Sequence, residues 1–412
     1  MCNINFQEFF IKFSLIGLFL SLPISFGAVN FFYYFSLLLI LFNLFSKQSL
    51  NILFYNKVSV ISLFLFVTYL ISFFYTNASH SEYFKFLTRY SKILGFVFLL
   101  PFFSNKNFKV YSLLSLFISI LFVEIISFLD FFHFFHIGSS NYDPHLYENV
   151  FRTHITQGYL FCILIVLSLS FYLYSHKTIR KIFYLFIIIL SSLNILFITN
   201  SKTAKLCLFI LIFWFTIEII FKHFNNIFLK LISIILLCLI FVFVFIEPKF
   251  MPINTINIIR NEITHTNRTN ELTSSGIRAE IYKSSLIMIK NEPFYGFGLG
   301  SVYKNYNHYN VNSNSSITMF IPYHLHNEYL MQLVQVGYIG LFLFLGLLLF
   351  SFFYSKRLEY SHSICLRGTI VIFSFGCLFN SFLLELTEGL TFLLLLAVLL
   401  PKDPLVNTGS SD

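Results

Sequence analysis

The chain has 412 residues, of which 57% are hydrophobic and 11% are charged, and its formal net charge is +9 at pH 7. Soluble domains carry roughly 25% charged residues, so this composition excludes an ordinary soluble protein and indicates an integral membrane protein. No basic patch lies on a soluble face, which excludes nucleic-acid binding. The six cysteines are scattered, mostly within apolar runs, and support neither a disulfide framework nor a zinc site.

Apolar runs recur along the whole chain and predict an all-α, polytopic membrane protein with about 12 transmembrane helices. No internal repeat supports an inverted-repeat transporter. We expect one membrane domain over residues 1–412, whose first apolar run is retained because no small-residue cleavage site follows it. The predicted spans lie near residues 9–28, 30–46, 58–76, 90–104, 110–132, 154–175, 182–199, 204–221, 228–247, 327–354, 364–384 and 386–401.

Basic residues in the loops predict the orientation of these spans. The loops after even-numbered spans are basic and nearly free of acids, so the positive-inside rule places them, and both termini, in the cytoplasm. The polar segment 248–326, between predicted helices 9 and 10, then forms one large loop on the outer side. A loop of this length is more typical of substrate handling than of simple connection.

Several cations remain on the outer side against the rule, in short segments beside the predicted spans. They are Lys85, Arg89, Lys92, Arg152, Lys202 and Lys205. Cations kept at membrane depth usually have a function, so their position predicts an anionic substrate on this side.

The polar run 199–205 interrupts two apolar helices. Ser201 or Thr203 is expected to cap the following helix, whose N-terminus favours anions. Lys202 beside that helix dipole predicts a phosphate-binding site. The alternative is a capped turn with lysines that extend towards the membrane surface.

A second helix is predicted inside the long loop. It begins at Ser274, has apolar residues every three or four positions from Ile277 to Ile289, and ends near Asn291. We expect it to be amphipathic and to lie on the outer interface. Arg278 in its first turn opposes the helix dipole, which favours a bound ligand over an ordinary surface arginine. The glycine-rich run 296–300 is expected to form a tight turn that lets the loop pack on the membrane surface.

Two histidines mark the start of the next apolar run. A neutral imidazole at His324 or His326 can accept a proton from a hydroxyl group, with metal binding and structural hydrogen bonding as alternatives. No acidic cluster completes a metal site, so we predict no metal. Glu385 and Glu388 lie at the outer end of the last predicted helix pair. We expect them to orient His326, to bind an outer arginine or to form a structural ion pair.

Taken in order, four segments resemble the O-antigen ligase and polymerase superfamily of bacterial envelope glycosyltransferases. They are residues 201–204, 276–300, 326–341 and 380–389. The resemblance covers the C-terminal half, whereas the N-terminal half matches in span count and topology alone.

This resemblance implies a bacterial inner-membrane enzyme with twelve helices and a large periplasmic loop. The ligases transfer a glycan from undecaprenyl pyrophosphate to a sugar hydroxyl of the lipid A-core, by inversion and without a metal or other cofactor. Carried over, Arg278 and Lys202 bind the pyrophosphate and His326 is the general base. The family usually has arginine at the position of Lys202, and lysine keeps the charge without the two-pronged geometry. Glu385 stands where the family has aspartate, which leaves its role open.

The predicted site combines these residues. Its catalytic residues are His326 and Arg278. Its substrate-binding residues are Lys202, Lys205, Arg89, Arg152, His324, Glu385 and Glu388. The expected partners are the undecaprenyl pyrophosphate-linked glycan, the lipid A-core acceptor and membrane lipids. The alternatives are an O-antigen polymerase, a protein O-oligosaccharyltransferase and, from another class, a lipid-linked oligosaccharide flippase, which would place charge near mid-membrane in broken helices.

Overall fold

A computed structural model describes residues 2–41, 56–134, 150–223, 226, 228–233, 235, 237, 257–265, 273–291, 294–309 and 323–401. Within these ranges every regular element is helical, which confirms the all-α prediction. Seven of the described helices are long and apolar enough to cross a membrane, and two shorter apolar helices accompany them. The protein is therefore a multi-pass membrane protein. The count of about twelve spans stays a prediction, because most of the ninth span and parts of the loop 248–326 lie outside the described residues.

The labelled helices are numbered in chain order. They are α1 (Cys2–Ser21), α2 (Phe26–Leu41), α3 (Lys57–Ile71), α4 (His80–Tyr90), α5 (Lys92–Leu99), α6 (Lys106–Phe131), α7 (His154–Tyr174), α8 (Thr178–Leu193), α9 (Lys202–His223), α10 (Ser274–Asn291), α11 (Val302–Tyr309), α12 (Glu328–Tyr354), α13 (Tyr360–Gly376) and α14 (Leu386–Leu399). Short helical turns follow α3, α5, α8 and α12 at Ser72–Phe74, Leu100–Ser104, Asn194–Ile198 and Ser355–Arg357, and residues 257–265 are also helical.

Helix α14 forms the centre of the bundle. All its residues from Thr387 to Leu399 are buried, and it packs against α5, α6, α7 and α13. A short, mostly apolar helix of this kind gains its stability from burial on every side. On α8, by contrast, Ile179 and Phe186 are 82% and 56% exposed, as expected for side chains that contact lipid.

The last predicted helix pair is shorter than expected. Helix α13 ends at Gly376, and residues 377–385 form turns before α14 begins. The predicted span 364–384 was therefore too long by about two helical turns. The polar pair Asn380 and Ser381 lies within these turns, whose main chain is held by side chains from other helices.

Helix α12 is interrupted at Val336 and Gly337, where Gly337 has φ 65° and ψ −160°. The carbonyls of Val334 and Gln335 instead accept hydrogen bonds from the N–H groups of residues 297 and 298, at 2.9 and 2.8 Å. The glycine-rich turn 296–300 thus packs against the main chain of α12, a contact that the sequence did not reveal. Non-helical backbone at this depth is tolerated because protein groups satisfy it.

Candidate functional site

The start of α9 carries the predicted phosphate-binding lysine. Ser201 accepts a hydrogen bond from the N–H of Ala204 at 3.2 Å, which confirms the expected cap. The ammonium group of Lys202 lies 2.5 Å from Oε1 of Glu262, in the helical segment 257–265. The other carboxylate oxygen of Glu262 accepts the N–H of Ser275 at 3.2 Å. One carboxylate therefore joins the first turns of α9 and α10.

Helix α10 has the predicted bounds, Ser274–Asn291. Ile281 and Met288 on its predicted inner face are 1% and 0% exposed, whereas Leu286 on the opposite face is 55% exposed. This distribution confirms the amphipathic pattern. Arg278 projects from the first turn and is half-buried. Burial lowers the pKa of its guanidinium, while nearby Tyr282 and Glu262 oppose that shift.

Tyr282 fixes α10 to the predicted catalytic histidine. Its hydroxyl lies 3.0 Å from the main-chain oxygen of His326 and 2.9 Å from that of Leu378, so it donates to these two carbonyls. His326 has φ 49°, a left-handed conformation that is uncommon for a residue with a side chain. Such backbone strain persists where the surroundings enforce it and is frequent at functional sites.

The rings of His324 and His326 lie with their centroids 4.2 Å apart at 68°. Burial, His324 and Arg278 lower the pKa of His326 to about 3, although the side chain of Asn380 acts in the opposite direction. Burial also lowers the pKa of His324, where Glu385 opposes the shift and Arg89 and Arg278 add to it. The Nδ1 atoms of both rings are buried without a hydrogen-bond partner among the described residues. Both imidazoles are therefore neutral near pH 7 and able to accept a proton.

Buried polar side chains hold the turns 377–385, and Glu328 supplies the first set of these contacts. Its side chain is wholly buried. Oε1 accepts hydrogen bonds from Tyr90 at 3.1 Å and from Gln332 at 2.7 Å. Oε2 accepts the N–H groups of Leu383 and Leu384 at 3.1 and 3.2 Å. The carboxylate thus joins α4, α12 and the turns 377–385, a role that sequence reasoning missed.

Lys92 supplies the second set of contacts. It is 3% exposed and donates to the main-chain oxygens of Leu384, at 3.1 Å, and Glu385. A side chain at Gly389 would place its Cβ 2.8 Å from the Lys92 ammonium, so the glycine leaves room for this contact. The sequence predicts Lys92 to be a substrate-facing outer cation, but its contacts are with the main chain of the turns 377–385.

Arg152 and Glu388, two predicted substrate-binding residues, are almost completely buried, at 5% and 3% exposed. Arg152 donates to the main-chain oxygen of Leu22 at 2.8 Å, and its guanidinium lies 3.6 Å above the ring of Phe26. Glu388 accepts a hydrogen bond from Thr156 at 2.5 Å. These contacts are with the α1–α2 turn and with α7. The two charges also interact with each other electrostatically.

Two of the remaining predicted residues, Arg89 and Glu385, lie near His324. Arg89 is exposed on α4 and Glu385 is half-buried, and both interact electrostatically with His324. Lys205 is half-buried in the first turn of α9. His154, at the start of α7, interacts with both Arg278 and Lys202, so the two predicted pyrophosphate ligands share a neighbour.

In the part of the chain that the structure describes, the side chains form neither a metal site nor a disulfide. No group of three or more His, Cys, Asp or Glu side chains there is placed to hold a metal ion. Cys162, Cys207, Cys365 and Cys377 are buried and free. The site therefore combines cations, neutral imidazoles and the carboxylates of Glu262 and Glu385.

A multi-pass helical membrane protein with cations and neutral imidazoles at one end of its bundle has a site suited to an anionic, membrane-anchored substrate. Residues 185–345 match the family model described as O-antigen ligase. This match confirms the resemblance to the O-antigen ligase and polymerase superfamily, whose members are glycosyltransferase-like enzymes that act on lipid-linked glycans. The matched segment includes Lys202, Lys205, Arg278, His324 and His326.

The chain is also similar to an uncharacterized protein of Haemophilus influenzae. The two are 29% identical over 142 residues, which is 33% of this chain and 35% of that protein. The chain therefore matches about a third of the length of this relative.

Proposed function

We propose that this protein is an O-antigen ligase of the bacterial inner membrane, with both termini in the cytoplasm and its site on the periplasmic face. It transfers a glycan from undecaprenyl pyrophosphate to a sugar hydroxyl of the lipid A-core, with inversion and without a metal. One observation carries the proposal. The electrostatic neighbours of Arg278 include His326 and Glu262, the partner of Lys202, and all of them lie in the segment that matches O-antigen ligase.

On the donor side, Arg278 and Lys202 bind the pyrophosphate. Polyprenyl pyrophosphate is an activated leaving group, so the enzyme mainly has to hold two lipid-anchored substrates in line. When the bond between the anomeric carbon and the phosphate oxygen breaks, the electron pair stays on the diphosphate. Fixed cations beside that oxygen stabilise the developing charge. Lys205, in the first turn of α9, extends the positive region on this side.

On the acceptor side, the hydroxyl oxygen of the core sugar attacks the anomeric carbon, and its proton passes to the imidazole of His326. Arg278 contributes to the low pKa of His326 in the ligand-free protein. A diphosphate beside Arg278 offsets that charge, so donor binding makes the imidazole a stronger base. Arg89, His324 and Glu385 complete the substrate-binding side of the site in this proposal.

The break in helix α12 favours the alternative of a lipid-linked oligosaccharide flippase. Transporters bind their substrates at such breaks near mid-membrane. Here the carbonyls at the break are occupied by the turn 296–300. The predicted site residues lie instead at the start of α12, which favours the enzyme.

The test is an envelope-glycan gel on a deletion strain complemented with wild type or His326→Ala. Loss of polymer from the lipid A-core, with polymer still on undecaprenyl pyrophosphate, supports the ligase. A single repeat on the core without long chains indicates a polymerase, and an altered glycoprotein pattern with normal lipopolysaccharide indicates the protein transferase. His362→Ala, on α13 away from the site, is the matched control. Unchanged glycan in a His326→Ala strain that contains the protein would remove His326 from the mechanism.

A further inference from the structure

The ion pair between Lys202 and Glu262 occupies the proposed donor site. We propose that Glu262 is an internal competitor for the donor's diphosphate: it holds the diphosphate position in the ligand-free protein and is displaced when the donor binds. This inference rests on the proposed function, because it assumes that Lys202 and Arg278 bind a diphosphate. It adds an autoinhibitory contact to that site.

The contacts of Glu262 are those that a phosphate group would make. One carboxylate oxygen lies 2.5 Å from the Lys202 ammonium, and the other accepts the N–H of Ser275 at 3.2 Å. Thr273 donates to the main-chain oxygen of Glu262 at 3.1 Å, which fixes the segment that carries it. A carboxylate and a phosphate accept the same charge-assisted hydrogen bonds, so the two groups compete for one position.

The difference in charge between the Glu262 carboxylate and the diphosphate decides which of them binds the cations more tightly. Burial on its own raises the pKa of Glu262, but hydrogen bonds from Lys202 and Ser275 outweigh it and lower the pKa. Glu262 therefore carries one full negative charge at neutral pH. A diphosphate carries more charge and more acceptor oxygens. Arg278 forms no ion pair with a described residue, which leaves it available to the second phosphate.

The ion pair between Lys202 and Glu262 lies where a diphosphate can reach it and replace the carboxylate. The side chains of Lys202 and Glu262 are 26% and 25% exposed, so solvent and ligand can reach them. If Glu262 instead had a purely structural role and positioned Lys202 for the donor, its removal would weaken diphosphate binding.

The experiment measures binding of inorganic pyrophosphate to the full-length protein in detergent, by calorimetry. We expect Glu262→Gln to bind roughly threefold more tightly or better, because a partly exposed ion pair no longer competes. Glu280→Gln is the matched control, since it removes the same charge from α10 but its partner is Lys283, at 2.5 Å. Its affinity should equal that of wild type. Equal or weaker binding by Glu262→Gln would overturn the competitor role.

Two further variants separate this inference from the function on which it rests. Lys202→Ala and Arg278→Ala should each weaken pyrophosphate binding. If they do so while Glu262→Gln brings no gain, only the competitor role fails. If neither changes the affinity, or if no variant binds pyrophosphate, the diphosphate site itself is wrong and both proposals fail. Glu262→Asp, which keeps the charge on a shorter side chain, replaces Glu262→Gln should that variant not fold.

Discussion

The two ends of the helical bundle both carry cations, but they use them differently. At the end away from the site, Arg367 lies 2.6 Å from Glu218 and donates to Ser355 at 2.8 Å. Lys222 lies 3.9 Å above the ring of Tyr360. The positive charges there join α9, α13 and the turn after α12, so they contribute to the fold.

At the site end, the buried residues that hold the main chain are different from the charged and polar residues that are available to a substrate. Glu328 and Lys92 hold the turns 377–385. Arg278 forms no ion pair with a described residue, and the Nδ1 atoms of His324 and His326 have no hydrogen-bond partner among them. Unsatisfied buried polar groups call for a ligand, water or function to explain them. The comparison suggests that activity and stability depend on different residues.

The largest expected effect is on activity at the site end. Arg278→Ala should lower glycan transfer roughly 100-fold or more, because it removes a cation that stabilises the departing diphosphate. Its melting temperature should stay close to that of wild type, since Arg278 has no ion pair with a described residue to lose. Transfer is measured per folded molecule in purified protein. Lys290→Ala, an exposed cation on the same helix, should retain wild-type transfer.

Arg367→Ala should show the reverse pattern. It leaves the Glu218 carboxylate, whose side chain is 14% exposed, without its ion-pair partner. We expect a lower melting temperature with transfer per folded molecule largely retained. Equal losses of transfer in Arg367→Ala and Arg278→Ala would remove the distinction between the two ends.

Glu328→Gln tests the scaffold of the site. The glutamine side chain has an N–H group where the glutamate has a second acceptor oxygen, so some of the groups that now donate to the carboxylate would lose their acceptor. We expect this loss to cost about 1–3 kcal/mol in the free energy of unfolding. Stability and transfer should fall together. Thermal unfolding and transfer are measured on the same preparation. Glu359→Gln, whose side chain is 73% exposed, is the control and should change neither quantity.

Gly337→Ala tests the break in α12. A Cβ at this position would lie 2.1 Å from the main-chain oxygen of Phe294, in a left-handed conformation. We expect a loss of roughly 1–3 kcal/mol in the free energy of unfolding. Gly346→Ala on the same helix, with its nearest contact at 3.7 Å, should be neutral or stabilising. Equal melting temperatures for the two variants would contradict the proposed packing of the turn 296–300.

Local features of the site could be predicted from the sequence. The bounds of α10 and the cap at Ser201 depend on residues three or four positions apart, and both were confirmed. The scaffold depends on distant partners: Glu328 contacts Leu383, 55 positions away, and Lys92 contacts Leu384, 292 positions away. Nothing in a single sequence pairs such residues. The break in α12 was missed for the same reason, because its partner lies in the turn 296–300.

The smallest expected effect is on acid stability. The folded protein does not protonate His326 until about pH 3, whereas the unfolded chain does so near the ordinary value of 6.5. The unfolded state thus binds more protons below pH 6.5, and stability should fall as the pH drops through that range. We compare melting temperatures at about pH 7.5 and about pH 5.5, roughly one unit on each side of the ordinary histidine pKa. The decrease between these two pH values should be smaller for His326→Gln than for wild type. The exposed-histidine control His308→Gln should follow wild type.

The most direct test of the account is glycan transfer by purified protein in lipid vesicles, with an undecaprenyl pyrophosphate-linked glycan as donor and lipid A-core as acceptor. We expect transfer by wild type and by Arg367→Ala, and loss of transfer in Arg278→Ala and His326→Ala at equal amounts of folded protein. Transfer at the wild-type rate by both Arg278→Ala and His326→Ala would contradict it.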